Sequence, residues 1–176
     1  MGKSKFGLAL VLVVLALNAC GKKDSSTAGA DASADSGTAI QFVTTQDDKP
    51  LVIDAKLFDT PAAKEFLATG KNPYVGNVEA IAKGKKIYQL YSCTQCHGPE
   101  AKGQVGPGLI GPTFKYPKDA TNKGMFETIW HGTNGGMGAK GVGLMDTTDP
   151  KNGITPDELL KVIAWIRSMG GVTGNE

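Results

Sequence analysis

Chemically versatile side chains are scarce in this chain. Of its 176 residues, three are cysteine and two are histidine. Any metal or cofactor chemistry therefore has few residues to work with, and they are easily located. The chain shows no internal repeat, which argues against stacked-repeat architectures. Its one long apolar run, Phe6 to Leu17, is too short to span a bilayer comfortably. An excess of one charge is missing as well. Removing the residues before Cys20 takes away Lys3 and Lys5, two of 19 basic residues, and none of the 17 acidic ones, leaving 17 of each. A balanced chain gives no reason to expect a nucleic-acid partner and no global field to steer a redox partner, so any docking patch has to be local.

Lys3, Lys5 and the apolar run after them read as a signal peptide over residues 1–19. It ends in Leu17-Asn18-Ala19-Cys20, which resembles a bacterial lipoprotein box, where the cysteine becomes the lipidated first residue after cleavage. The plainer alternative is an ordinary signal peptide cut nearby, with Cys20 incidental. Gly21 to Gly37 is rich in Ser, Ala, Gly and Asp and holds no large apolar residue, so residues 20–38 read as a lipidated cysteine and a flexible tether. The folded domain is expected over residues 39–172, with its core at 79–170. This organisation predicts a periplasmic protein held to a membrane by a lipid. Gly21 after Cys20, rather than an aspartate, favours the outer membrane.

The two remaining cysteines stand in Cys93-Thr94-Gln95-Cys96-His97. A zinc site would need a second pair of ligands, and the only other histidine is His131. A thioredoxin-like pair would follow a buried strand, whereas Tyr88 to Ser92 reads as the end of a helix. The histidine directly after the second cysteine selects a third chemistry. Two thioether bonds from Cys93 and Cys96 would fix the edge of one haem c, with His97 beneath the iron as proximal ligand.

A sixth ligand has to come from Met125, Met137, Met145, Met169 or His131. Met125 and Met169 fall in helical patterns, where core packing is the default. Met137 lies in Asn134-Gly135-Gly136-Met137-Gly138, whose glycines let backbone approach a flat cofactor, and it is the favoured axial thioether. Met145, in an equally glycine-rich loop, is its rival. His131 would make a bis-histidine centre, but its place at a helix end suits a surface or capping role. Pro107, in Val105-Gly106-Pro107-Gly108-Leu109, is a suitable source of the carbonyl that ligating histidines bind through their outer ring N–H; a mere tight loop is the equal alternative.

Three helices are legible. Glu79 to Tyr91 places Ile81, Gly84, Ile87, Tyr88 and Tyr91 at helical spacing and leads into the cysteine motif. Lys123 to Trp130 is a short middle helix. Thr155-Pro156-Asp157-Glu158 combines an N-cap, a first-turn proline and a capping-box glutamate. Leu159, Val162, Ile163, Ile166 and Met169 then form one face, ended by Gly170-Gly171. Gly84 would allow close crossing with an aromatic of this last helix, Trp165. Long glycine-rich loops would be costly in an ordinary domain; here a haem supplies the missing core.

Helix, Cys-x-x-Cys-His, Gly-Pro-x-Leu, methionine loop and terminal amphipathic helix together resemble a class I cytochrome c from about Glu79 to Gly170. That implies an all-α fold of helices and long loops around one covalent haem. A narrower resemblance reaches back to about Ile40. Lys64 to Asn72, Gly106 to Leu109, Tyr116 to Gly124, Phe126 to Ile129 and Lys161 to Arg167 are similar to the cytochrome cL family, the electron acceptors of pyrroloquinoline-quinone methanol dehydrogenases in methylotrophic bacteria. The segment from Ile40 to Asn77, which a simple monohaem cytochrome does not need, would be the family's N-terminal extension.

The resemblance implies a one-electron shuttle. A quinoprotein methanol or alcohol dehydrogenase would donate and a smaller cytochrome c would accept. Calcium near the haem is conceivable for such a family, with no ligands assignable. Filled axial positions leave no site for substrate, so an electron carrier is expected rather than an enzyme. Two other readings remain: a class I cytochrome serving a different respiratory donor, and a haem-based ligand sensor with an open sixth position.

Overall fold

The computed structural model describes residues 39–172 and 174–176; the expected signal peptide, Cys20 and the expected tether through residue 38 lie outside the described residues. Five α-helices carry the architecture: α1 (Pro61–Thr69), α2 (Val78–Leu90), α3 (Cys93–His97), α4 (Asn122–His131) and α5 (Pro156–Ser168). The expected all-α character holds with one small addition. Strands β1 (Phe42–Val43) and β2 (Pro50–Leu51) pair antiparallel, Phe42 against Leu51. Among the described residues no helix is long and apolar enough to cross a membrane.

The terminal helix forms for the local reasons its sequence advertises. The Thr155 side chain accepts from Glu158 N–H, and the Glu158 carboxylate accepts from Thr155 N–H, so two orphan donors of the first turn are satisfied. Its inner face is buried through Leu159, Val162, Ile163 and Ile166. Met169 does not continue that face. The helix ends at Ser168, and Met169 follows as its C-cap, 37% exposed, before Gly170 turns at φ 93°.

Helix α2 crosses α5 at Gly84. A Cβ built there would lie 2.0 Å from the Lys161 carbonyl oxygen, a distance no side chain tolerates. The partner of Gly84 is therefore the α5 backbone at Lys161 and Val162, not Trp165. The indole packs instead on Tyr88, with ring centroids 4.5 Å apart, because Trp165 lies one turn further along α5.

The extension is tied to this helix pair. Thr60 Oγ1 and Tyr74 Oη both donate to Asp157 at the start of α5, at 2.8 and 2.6 Å. The buried Asn72 amide donates to Leu160 O at 2.8 Å. Phe42, Phe58 and Phe66 of the extension pack on Phe126 of α4 at centroid distances of 5.0–6.1 Å. Such aromatic packing is worth several kcal/mol of burial per ring.

Helix α4 is buried along most of its length, including Glu127, 1% exposed. Its carboxylate takes Lys118 at 2.7 Å and Lys123 at 2.6 Å, and accepts Val43 N–H at 2.8 Å. A charge so buried persists because every oxygen is partnered. Gly124 lets the 3₁₀ turn Pro117–Ala120 lie directly on α4, since a Cβ there would meet Lys118 O at 1.9 Å.

Candidate functional site

A cleft lies between α3, α4, α5 and the loops that join them. Helix α3 is a single turn that begins with Ser92 in the left-handed region (φ 58°) and ends at Gly98 (φ 75°). Helical spacing sets Cys93, Cys96 and His97 at i, i+3 and i+4, so the two thiols and the imidazole leave one short surface. His97 is buried, Cys93 half-buried and Cys96 exposed, and both thiols are free. Burial pushes the Cys93 thiol above its ordinary value.

The loop after α3 closes back on it. Gly103 N–H donates to His97 O at 2.9 Å and Gly106 N–H donates to Cys96 O at 2.7 Å. A Cβ at Gly106 would stand 3.1–3.2 Å from the His97 ring and crowd it. These ties bring the Pro107 carbonyl to 2.8 Å from His97 Nδ1. A carbonyl can only accept, so Nδ1 is the donor of this bond.

The opposite wall is the loop after α4. Thr133 N–H donates to Met137 O at 2.8 Å, and Lys140 and Gly141 N–H return to the α4 C-terminus. Gly132, at φ 80°, lies where a Cβ would meet Met137 O at 2.6 Å. Three adjoining concavities fill the space between the walls, and His97 and Met137 line all three. The inner one is walled by apolar side chains such as Tyr88, Leu109, Ile129, Val162 and Ile166. The outer one is bordered by Cys93, Cys96, Val105, Gly106, Gly136 and Lys140. An apolar cleft with a few converging polar groups is the usual form of a cofactor site.

The sequence-derived candidates divide accordingly. Cys93, Cys96, His97, Pro107 and Met137 meet at this cleft. Met145 lines none of the three concavities; its N–H is taken by Gly141 O at 3.0 Å. His131 lines none of them either; it is half-buried in the last turn of α4, and among the described residues its Nδ1 has no partner. Met125, assigned to core packing, is buried and also reaches the inner concavity. Among the described residues no group of three or more His, Cys, Asp or Glu side chains could hold a metal ion, so calcium finds no acidic cluster.

Two site residues escaped sequence reasoning. Asp119 and Thr128 line the two inner concavities together. Thr128 Oγ1 donates to Asp119 Oδ1 at 2.6 Å, and the Thr45 hydroxyl lies 2.9 Å from Thr128 Oγ1. Arg167 Nη2 donates to the Asp119 backbone carbonyl at 2.8 Å, while its buried Nη1 has no partner among the described residues. Burial, only partly offset by Thr128, Lys118 and Arg167, pushes the Asp119 carboxyl up to about 6. The only signal in the sequence was a lone acid inside an otherwise basic and polar run, Lys115 to Lys123, and it does not distinguish an inward carboxylate from a solvated one.

Comparison with known proteins accords with this geometry. The family model described as Cytochrome c matches residues 81–170. Cytochrome c-L of Methylorubrum extorquens is 42% identical over 112 residues, which are 63% of this chain and 51% of that one. The chain thus spans about half the length of that curated relative. Among solved structures, cytochrome CL of Methylophaga aminisulfidivorans aligns with a TM-score of 0.62 at 35% identity, over 73% of this chain and 80% of that one. Cytochrome cL of Hyphomicrobium denitrificans aligns with a TM-score of 0.62 at 41% identity, over 73% of each chain. These structural likenesses take in more of the chain than the family model does.

Proposed function

Because the chain belongs to the cytochrome c family, and within it to the cytochromes cL, we propose that it is a periplasmic carrier that takes single electrons from a quinoprotein methanol or alcohol dehydrogenase and passes them to a smaller cytochrome c. Membership of the family implies one covalently bound haem c and the role of electron carrier. The donor, the acceptor, the compartment and the residue roles are the proposal.

The observation that carries it is the convergence of His97, Met137 and the two thiols on one apolar cleft. The residues present fit a haem. Cys93 and Cys96 would supply the two thioether attachments, His97 the proximal nitrogen, and Met137 the axial sulfur. When bound, the haem supplies a one-electron couple. Everything else is work for the chain. Pro107 O holds the His97 ring in the tautomer that leaves Nε2 free to ligate. Tyr88, Ile129 and Ile166 exclude water, which together with thioether ligation raises the reduction potential. The exposed Cys96 and Val105 leave an edge of the cleft open to a partner.

Met145 stands apart from the cleft, which supports Met137 as the sixth ligand. Met137→His is expected to lower the potential while keeping the covalent haem; an unchanged potential and optical spectrum would remove Met137 from the site. Upstream, residues 1–19 are the proposed signal peptide and Cys20 the proposed lipid attachment, which labelling with a radioactive fatty acid tests.

The deciding experiment mixes the oxidised holoprotein with a pyrroloquinoline-quinone methanol dehydrogenase and methanol, following the reduced-haem band at several ionic strengths. Fast, saturable reduction is expected. Slow, unsaturable reduction would leave an electron carrier with a different donor.

A further inference from the structure

Asp119 is a buried carboxyl that the proposed chemistry does not use. It is 6% exposed, and it lines the same two inner concavities as His97 and Met137. No cation is bonded to its side chain. The ammonium of Lys118, its neighbour in the same turn, is taken by Glu127 at 2.7 Å. The Arg167 guanidinium reaches its backbone oxygen rather than its carboxylate. The one hydrogen bond to the carboxyl comes from Thr128. The remaining polar or titratable side chains lining the shared concavities are Tyr88 of α2, Tyr91 at its end, Cys93 and His97 of α3, Lys115 and Tyr116 of the preceding loop, and Thr133 and Lys140 of the methionine loop.

Resting on the haem assignment above, we propose that Asp119 is the proton-accepting group of this centre: one proton joins its carboxylate when the centre gains one electron, and leaves when the electron does. The balance is simple. The donor protein would give up one electron, which a haem held in this cleft would accept. One O–H bond forms at Asp119 with a proton drawn from solvent, so the net charge of the cleft is unchanged. The coupling is electrostatic. An added negative charge inside an apolar cleft is poorly screened, so a carboxylate facing it becomes harder to keep ionised. Glu127, on the adjoining turn of α4, pushes in the same direction, while Lys118 and Arg167 oppose it. The balance already places the carboxyl at about 6 in the protein alone, within reach of ordinary conditions.

The sign follows. Deprotonated Asp119 stabilises the oxidised centre, so the reduction potential falls as pH rises through the titration of this carboxyl and is flat well below and well above it. The test is a redox titration of the holoprotein at a series of pH values, for wild type, Asp119→Asn and Asp119→Glu. The Asn variant, with no proton to exchange, should lose the fall in this range and hold the higher, acid-side potential. The Glu variant should keep a fall, displaced in pH. An Asn variant whose potential follows the wild-type pH course would overturn the assignment. Should the Asn variant not fold, redox-difference infrared spectra of the wild type decide. A protonated-carboxyl band that grows on reduction near pH 6 and shifts in heavy water is expected, and its absence refutes the proposal. Wild-type protein isolated without covalent haem, seen in the pyridine haemochrome spectrum before any titration, would overturn the electron-carrier reading itself.

Discussion

The two ends of this molecule solve the burial problem in different ways. At the extension end, Phe42, Phe58, Phe66 and Phe126 stack ring on ring, and Phe58, Phe66 and Phe126 are all but inaccessible. That end is a finished core. At the cleft end, the walls are glycine-rich loops whose backbone hydrogen bonds close on each other and set His97, Met137 and aliphatic side chains around a cleft. The contrast teaches that the extension is a buttress packed by its own side chains, while the cleft is a frame shaped to hold a flat cofactor. Helices α2 and α5 serve both ends, since α5 anchors Asn72 and Asp157 contacts on one side and presents Val162 and Ile166 to the cleft on the other.

Breaking the cleft end should have the largest effect. In Cys93→Ala/Cys96→Ala, covalent haem should fall to background in the pyridine haemochrome assay. Amide exchange should accelerate most in the loops 98–109 and 132–141, and least around Phe66. Uniform exchange across both ends would show that the extension depends on the cofactor as much as the cleft does. Breaking the buttress comes next. Phe66→Ala removes a fully buried ring and should cost about 3–5 kcal/mol in denaturant unfolding, with the optical signature of axial ligation intact. A changed ligation spectrum would mean that the two ends are not separable. The seam between them is the third point. Gly84→Ala forces α2 and α5 apart at Lys161 O, at an expected cost of about 3 kcal/mol. Tyr88 and Trp165 should report the shift by near-ultraviolet circular dichroism.

Much of the fold was readable because its signals are local. The capping box of α5 and the run into Cys93 each lie within a few consecutive residues, and the observed helices match them to within a residue or so at their starts. Helix α1 could have been found by the same logic. Thr60 caps Ala63 N–H, Pro61 opens the helix and Gly70 (φ 74°) closes it, repeating the Thr-Pro pattern of α5. Only its membership of a family resemblance drew notice to that segment. Met169 was misplaced because periodicity extends past a helix end that backbone geometry, not hydrophobicity, decides. The partner of Gly84 was misjudged because a sequence shows which residue is small, not which backbone approaches it.

What the sequence by itself determined is the chemistry contained in short contiguous segments: the two thiols and imidazole of Cys93 to His97, the helix starts, and the glycine loops that need a flat partner. These depend on spacing along the chain and on backbone preferences, which act within a turn or two. Only the tertiary structure decided which of two methionines lines the cleft with His97 and where the Pro107 carbonyl goes. It also decided that Glu127 is a buried ion-paired strut and that Asp119 turns into the cleft. Those choices rest on contacts between residues tens of positions apart, and the burial that gives Asp119 its altered acidity exists only once α4, α5 and the turn before them have closed around it.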